Sequence, residues 1–481
     1  MMRSMYSAVS GLKTHQTRMD VIGNNIANVN TEAFKASNVR FNEIMYQTLS
    51  SASGGNGATG IGGVNAKQVG LGVTTASTTV NITGAGASET TGNPFDLKFT
   101  DSQSTNFFIV SDGTNRFFTR AGSFYVDGNG YLCMSSTGYT LQGWQVDKTT
   151  GEIRKDIVSA LQVMAPENQT AAPEATTKAY VSGVLDKKDT NVTSEDGYTV
   201  TLGLFDNLGY SYTAKFAIKP RENPTADGEY HITLTDIIDS KSKSIIPGAT
   251  EQEKKTKLAQ IFGDNNNNNN KEGYDITFDA NEGTFVTIGG DKTKPLTSQM
   301  LKLSTIPTGY ITNGQNGQNN VTSNFQDIEV DFSKCMNYNN GGTSTLKMLK
   351  GDTTGDGAGK KLGALTGITV DQQGQIHGSY DNGNTILLGQ IAVAQFANAS
   401  GLEKVGNNCY QTTLNSGEFD GIGVEVSADG SAINSGELEM SNVDLSGQFT
   451  DMIVTQRGFQ ANSRVITVSD TLLEELINLK R

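Results

Sequence analysis

Charge, cysteine and long apolar runs are all scarce in this chain, and each scarcity removes a class of function. Only 18% of its 481 residues are charged, and 50 acidic residues against 37 basic ones give a net charge of −13. With a pI near 4.8 and no basic stripe, a nucleic-acid partner is not expected. The three cysteines, Cys133, Cys335 and Cys409, are odd in number and far apart, so neither a disulfide framework nor a Cys-x-x-Cys metal knuckle is present. No stretch approaches the roughly 18 apolar residues of a membrane span. The opening MMRSMYSAVSGLKTHQTRMD lacks the continuous apolar core and small-residue cleavage site of a secretory signal. If the protein leaves the cytoplasm, the expected route is one that does not read such a signal.

Signatures of catalysis are missing too. There is no Gly-x-Ser-x-Gly, and no Gly-x-Gly-x-x-Gly follows a predicted strand. His15, His231 and His377 fall in three separate regions with no metal-ligand spacing. The stretch GDTTGDGAGKKLG (351–363) comes nearest to a site. A phosphate-cradling loop needs Gly separated by four residues from Gly359-Lys360, and Ser or Thr after the lysine; Thr354 and Lys361 stand there instead. As a calcium loop begun at Asp352, it ends on Gly363 rather than a bidentate Glu. It reads as a hairpin loop. No catalytic, cofactor or metal residue is assigned, and the chain is not expected to be an enzyme.

What is abundant is glycine, 55 residues, together with Ser, Thr and Asn around short Val/Ile/Phe runs. That texture predicts β-modules joined by many turns, and the length suffices for about three domains. Residues 50–92 are Gly/Ser/Thr/Asn-rich and read as an extended connector. From 93 to about 147 alternating strands carry the hairpin signals Asp112-Gly113 and Asp127-Gly128, and a matching texture returns after 362. These blocks read as one β-domain split by a β-rich insertion. The insertion contains the polar tract GDNNNNNNKEG, a solvated loop, and KLAQIFG, a short helix. Tyr198, Phe205, Tyr210, Tyr212 and Phe216 alternate like ordinary strand core rather than a glycan-binding patch on a stalked adhesin.

The ends differ. Met5, Val9, Leu12, Met19, Ile22, Ile26 and Val29 recur in helical steps, Gln16 filling the gap. Near the C-terminus Leu445, Phe449, Met452, Gln456, Phe459, Ser463, Ile466, Asp470, Leu473 and Ile477 keep a four-three spacing over four heptads, with Ser441 and Asn442 as candidate caps. Such a helix is roughly 50 Å long. The two helices could simply pair within one monomer as a stalk. Polar residues inside the seam, and Leu472, Leu476 and Leu479 on a neighbouring face, point instead to several helices side by side.

The expected fold is mixed α and β and multi-domain: terminal helices at 1–30 and 440–481 pair as a coiled-coil-like inner domain around nested all-β outer domains. A connector spans 31–92, the split β-domain 93–155 and 362–439, and the outer insertion 156–361.

The segment NNIANVNTEAFK, comprising Asn24, Asn25, Ile26, Ala27, Asn28, Val29, Asn30, Thr31, Glu32, Ala33, Phe34 and Lys35, resembles the N-terminal signature of bacterial flagellar rod and hook proteins. Ala33 stands where that family usually has Gly, so a differently wound turn is expected there. The C-terminal SNVDLSGQFTDMIVTQRGFQANSRVITVSDTLLEELINLKR, which includes Gln460, Asn462 and Leu476, is similar to the ends of the family's hook members. TTGNPFDL, RFFTRAGSFYVDGNGYL, LQGW and GQIAVAQFANASGLEKVGNNCY resemble its split β-domain. The chain's length favours hook over rod, with a distal rod or hook-filament junction subunit as the alternative. The resemblance implies a structural subunit that stacks helically with copies of itself into a curved tube, a universal joint passing torque from rod to filament. It implies rod, hook-cap, hook-length-control and hook-associated junction proteins as partners. Export would run through the flagellar type III apparatus, to the hook and basal body, without a cleaved signal. The assembly residues it implies are Leu12, Ile22, Asn24, Asn25, Ile26, Ala27, Asn28, Asn30, Thr31, Phe34 and Lys35 at the N-terminus, and Leu445, Phe449, Met452, Gln456, Phe459, Gln460, Asn462, Ile466, Leu473 and Leu476 at the C-terminus. The asparagine amides would bond backbone at the helix end and across to adjacent subunits.

Overall fold

The computed structural model describes residues 2–55, 60, 62–147, 150–222, 224, 227–246, 250–264, 271–289, 294–306, 311–313, 319–321 and 323–479. The chain forms two compact units. One holds residues 1–168, 367–379 and 385–481; the other holds 169–366 and 380–384.

In the first unit, helices α1 (Met2–Ala27) and α3 (Leu445–Asn478) lie at the two chain ends. α3 begins at Asp444, whose carboxylate accepts the Ser446 amide at 3.0 Å, one of the orphan donors of a helix start. The cap is thus Asp444, not Ser441 or Asn442. The segment after α1 is more than a connector. Strand Ser37–Glu43 pairs antiparallel with Val73–Val80, and Tyr46–Ser50 with Lys67–Gly70. The Thr and Val content of these stretches favours that pairing over a coil.

The β-domain interleaves both sequence blocks in one sheet. Gln375–Tyr380, Thr385–Ile391, Thr140–Gln145, Asn106–Ser111, Arg116–Thr119, Cys409–Gln411 and Glu403–Gly406 follow one another, each antiparallel to the next. Phe107, Ile109, Phe118, Trp144, Ala392, Ala394 and Tyr410 pack beneath it. The Asp112 carboxylate accepts the amides of Thr114 and Asn115 and shapes the first hairpin turn. At the second turn the left-handed residue is Gly130 rather than Gly128, with Asp127 accepting from Asn129 and Tyr131. The first unit reaches past residue 156. Ser159–Ala160 pairs with Thr140–Gln145, and Val158, Leu161 and Val163 are buried.

The second unit has two sheets. Tyr198–Phe205, Ser211–Pro220, Glu229–Asp239, Tyr274–Phe278 and Phe285–Ile288 form an antiparallel series. Ser298–Leu301, Ile328–Met336, Lys178–Val184 and Lys347–Lys350 form the other, in which Lys178–Val184 runs parallel to Ile328–Met336. Their inner faces share a core that includes Val181, Phe216, Ile232, Val330 and Phe332. The short helix α2 (Glu251–Ile261) buries Leu258 and Ile261. Phe216 is fully buried, whereas Tyr210 is 63% exposed and does not belong to the strand core. The central part of the polar tract, 265–270, lies outside the described residues.

Candidate functional site: the helix pair and its root

α1 and α3 run antiparallel, and apart from Ile22 the residues they bury are small or polar. Ala8, Gly11, Thr14, Ile22 and Asn25 are the buried residues of α1; Thr455 and Ser469 are those of α3. The register is fixed by pairs whose numbers run in opposite directions. Ser4 meets Ser469 at 3.5 Å, Arg18 meets Asp451 at 3.0 Å, and Asn25 donates to Gln448 Oε1 at 3.1 Å. Two glycines permit the close approach. A Cβ on Gly11 would stand 2.7 Å from Asn462 Nδ2, and one on Gly458 would stand 2.7 Å from His15 Cε1. Burial, with Arg18 adding to it, holds the His15 imidazole below its usual pKa. Its Nδ1 and the Thr455 hydroxyl are buried without a hydrogen-bond partner among the described residues.

This is not the seam read from the four-three spacing. Of its ten positions, Met452, Ile466 and Leu473 are half-buried, while Leu445, Phe449, Phe459 and Ile477 are 39 to 66% exposed. Gln456, Ser463 and Asp470 are exposed, as are Gln460 and Leu476; Asn462 is half-buried against Gly11. On α1, Ile22 is buried and Leu12 half-buried, but Val9 is 52% exposed. The physical reason is geometric. Close helix approach favours Gly, Ala, Ser and Thr, and the large side chains are turned elsewhere.

A second, distinct apolar stripe runs along α3. Val454, Ala461, Val465, Val468, Leu472, Leu476 and Leu479 recur in helical steps, with Gly458 between the first two, and all seven are exposed. Met2, Tyr6 and Val9 of α1 are 60, 68 and 52% exposed and lie toward the same end, since Ser4 reaches Ser469. An apolar surface of this extent is unusual for a chain that works alone.

At the root of the pair, the asparagine-rich motif winds into the β-domain. Asn28 Nδ2 donates to Asn24 Oδ1 at 2.7 Å and to Asn24 O at 2.9 Å, closing the helix end. Asn25, 1% exposed, donates to Ser37 O at 2.8 Å and accepts from Ser37 N at 3.0 Å. Thr31 donates to Asn28 Oδ1 at 3.1 Å. Asn24, Ala27 and Asn30 are exposed, Ile26 is half-buried, and Phe34 is buried. The amides therefore bond backbone at the helix end, as expected. Ala33 takes φ +53°, the left-handed conformation a glycine would take; the turn is wound as with Gly, not differently.

Lys35 is 1% exposed. Its Nζ donates to Glu439 Oε1 and to Gly84 O, both at 2.7 Å. The other Glu439 oxygen accepts from Arg120 Nε at 3.0 Å, and Arg120 Nη1 donates to Asp101 and to Asn106 O, each at 2.7 Å. Gly86 N also donates to Glu439 Oε1 at 3.0 Å. Burial alone would raise the Glu439 carboxyl, but Arg120 and Lys35 outweigh it and hold it below its usual pKa. Burial draws the Lys35 ammonium down, with Glu439 opposing. Asn442 completes the root: it accepts from Ala36 N at 2.8 Å and donates to Asn81 O and Gly84 O. Sequence reasoning missed Arg120, Glu439, Gly11 and Gly458, and singled out Asn442 only as a candidate helix cap. The available signal was charged and amide residues set inside the motif-like stretches RFFTRAGSF and LEMSNV.

Among the described residues, no group of three or more His, Cys, Asp or Glu could hold a metal ion, and no helix is long and apolar enough to cross a membrane. The helix pair presents exposed apolar contact surface on both of its helices.

Comparison with known proteins agrees. Residues 5–35 match the family model described as flagella basal body rod protein, and residues 434–479 match flagellar basal body rod FlgEFG protein C-terminal. The chain is 35% identical over 495 residues to the flagellar hook protein FlgE of Treponema pallidum, covering 100% of both chains. It is 35% identical over 490 residues to the FlgE of Borreliella burgdorferi, again covering 100% of both. The flagellar basal-body rod protein FlgG of Bacillus subtilis is 26% identical over 481 residues, covering 100% of both. On this similarity the chain belongs to the flagellar hook protein family.

Proposed function

We propose that this chain is the structural subunit of the bacterial flagellar hook. It assembles helically with copies of itself into a curved tube that acts as a universal joint, passing torque from rod to filament. One observation carries the reading: the helix pair is closed by small and polar residues and leaves its large apolar side chains exposed on both helices. Burying such side chains contributes about 1.5 to 3 kcal/mol each when complete, and neighbouring helix pairs are the surface that fits a helical stripe. In the tube the terminal helices form the inner layer around a central channel, with the β-rich regions outside. The polar residues within the stripes set register between copies. Export runs through the flagellar type III apparatus, and the rod, hook cap, hook-length-control and junction proteins meet the tube at its ends and during its growth.

Electron microscopy of the purified chain tests this. Long curved tubes of constant diameter are expected. Particles that remain monomeric under every condition favouring polymers would refute it, and capped or short tapered objects would favour a rod or junction subunit. Hydrogen exchange on the monomer adds a second check. Residues 5–28 and 445–478 are expected to exchange faster in the monomer than in the assembled tube.

A further inference from the structure

Lys35 and Glu439 lie 404 positions apart in sequence, yet each is 1% exposed and they touch at 2.7 Å. Around them the charges cancel: two cations, Lys35 and Arg120, and two carboxylates, Glu439 and Asp101. The partners come from three parts of the chain. Lys35 ends the N-terminal motif, Glu439 precedes α3, and Arg120 and Asp101 belong to the β-domain. The two terminal segments also bond each other directly. Ala33 N donates to Glu439 O at 2.7 Å and Asn442 N to Phe34 O at 3.3 Å. The 403–408 hairpin holds the N-terminal segment from another side, Lys404 Nζ donating to Lys35 O and Asn408 Nδ2 to Glu32 O.

Docking one end without the other breaks this balance. Without the C-terminal segment, Lys35 and Arg120 share only Asp101; without the N-terminal segment, Glu439 and Asp101 share only Arg120. Each half-docked state holds a buried charge without a counter-charge, which is far costlier than either the full cluster or its absence. We propose that Lys35 and Glu439 are positioning residues that make the docking of the two chain ends mutually dependent, so that the assembling conformation is reached only when both ends have arrived. The final clause rests on the assembly reading above; the interdependence itself rests on the ion cluster. A chain whose C-terminal segment has not been delivered cannot lock its N-terminal motif, and so cannot enter a polymer half-formed.

The test compares the full chain with Lys35→Met, Glu439→Gln and the charge-balanced double variant Lys35→Met/Glu439→Gln. Amide exchange is read at residues 33–36 and 438–442, with strands Ser211–Pro220 and Glu229–Asp239 as an internal fold reference. Each single variant is expected to exchange at least about 100-fold faster there, and the double variant to return to within about tenfold of the parent because its remaining charges pair. Packing alone would not produce that rescue. Singles that exchange like the parent, or a double whose loss is the product of the two singles, would overturn the proposal. If a single variant gives no soluble protein, the double decides: recovery supports the proposal, and equal loss overturns it. Tube formation by the parent is scored separately. A parent that shows this exchange pattern but makes no tubes would refute the assembly reading and leave the interdependence standing.

Discussion

The exposed stripe on α3 yields the most quantitative expectation. Val468, Leu472 and Leu476 are 57, 50 and 49% exposed, and none is among the residues that close the helix pair. About half of each side chain is still available for burial. At about 1.5 to 3 kcal/mol for complete burial, each position has about 1 kcal/mol left to contribute on assembly, or about 3 kcal/mol for the three. Replacing them with Asn, Gln and Gln removes that contribution. Since about 1.4 kcal/mol is a factor of ten, the critical concentration for polymerisation is expected to rise about 100-fold. The assay is sedimentation of polymer from a dilution series, with the melting of the monomer measured alongside. The monomer should melt within about 0.5 kcal/mol of the parent, because exposed substitutions rarely do more. An unchanged critical concentration would refute the reasoning, since it would mean that these side chains stay in water in the polymer.

Other expectations follow from single positions. Phe449→Asp, on an exposed side chain, should abolish tubes and leave both units folded, whereas Ile466→Asp, half-buried, should also unpair the helices; circular dichroism and microscopy separate the two. Ala33→Gly should raise stability by about 0.5 to 1 kcal/mol, because φ +53° strains an alanine and not a glycine; denaturant unfolding of the first unit measures it. The second unit should lose stability in acid. Asp186 accepts backbone amides from Lys188, Asn340 and Gly342, and Asp189 from Asn191 and Ser344, and these bonds hold both carboxyls below their usual pKa. A depressed pKa stabilises above the ordinary carboxylate range, and the contribution is lost as pH falls through the depressed value, here below about pH 4. Asp186→Asn should lower the melting temperature at neutral pH and flatten its fall in acid; parallel pH profiles would contradict this.

Much of the architecture was legible in the residues, and the gaps have physical causes. Helical spacing over 5–29 and 445–477 located both terminal helices, because long periodic segments carry the strongest local signal. The alternating runs around Phe107 and Ala392 located the β-domain, and both blocks do enter one sheet. The interface between the helices was misread for a definite reason: apolar periodicity marks the side chains that seek burial, not the partner that supplies it. In the monomer that partner is absent for most of them, and the contact actually made runs through Gly11, Thr14, Thr455, Gly458 and Ser469, which carry no hydrophobic signal. The ion cluster was illegible for another reason. Lys35 and Glu439 are 404 positions apart, and nothing local to either marks it as buried. Residues 37–80 read as connector because their strands are short and mostly exposed on both faces, which removes the alternation that identifies a half-buried strand.

The central claim is that the apolar stripe of the helix pair is solvent-facing in the free chain and covered by copies of the same chain in the polymer. Cysteine introduced at Val468 or Leu472 tests this most directly, because Cys133, Cys335 and Cys409 are buried and give little background with a bulky thiol reagent. The account predicts rapid labelling of the monomer and at least about tenfold slower labelling in assembled tubes. Equal labelling of monomer and tube at both positions would contradict it.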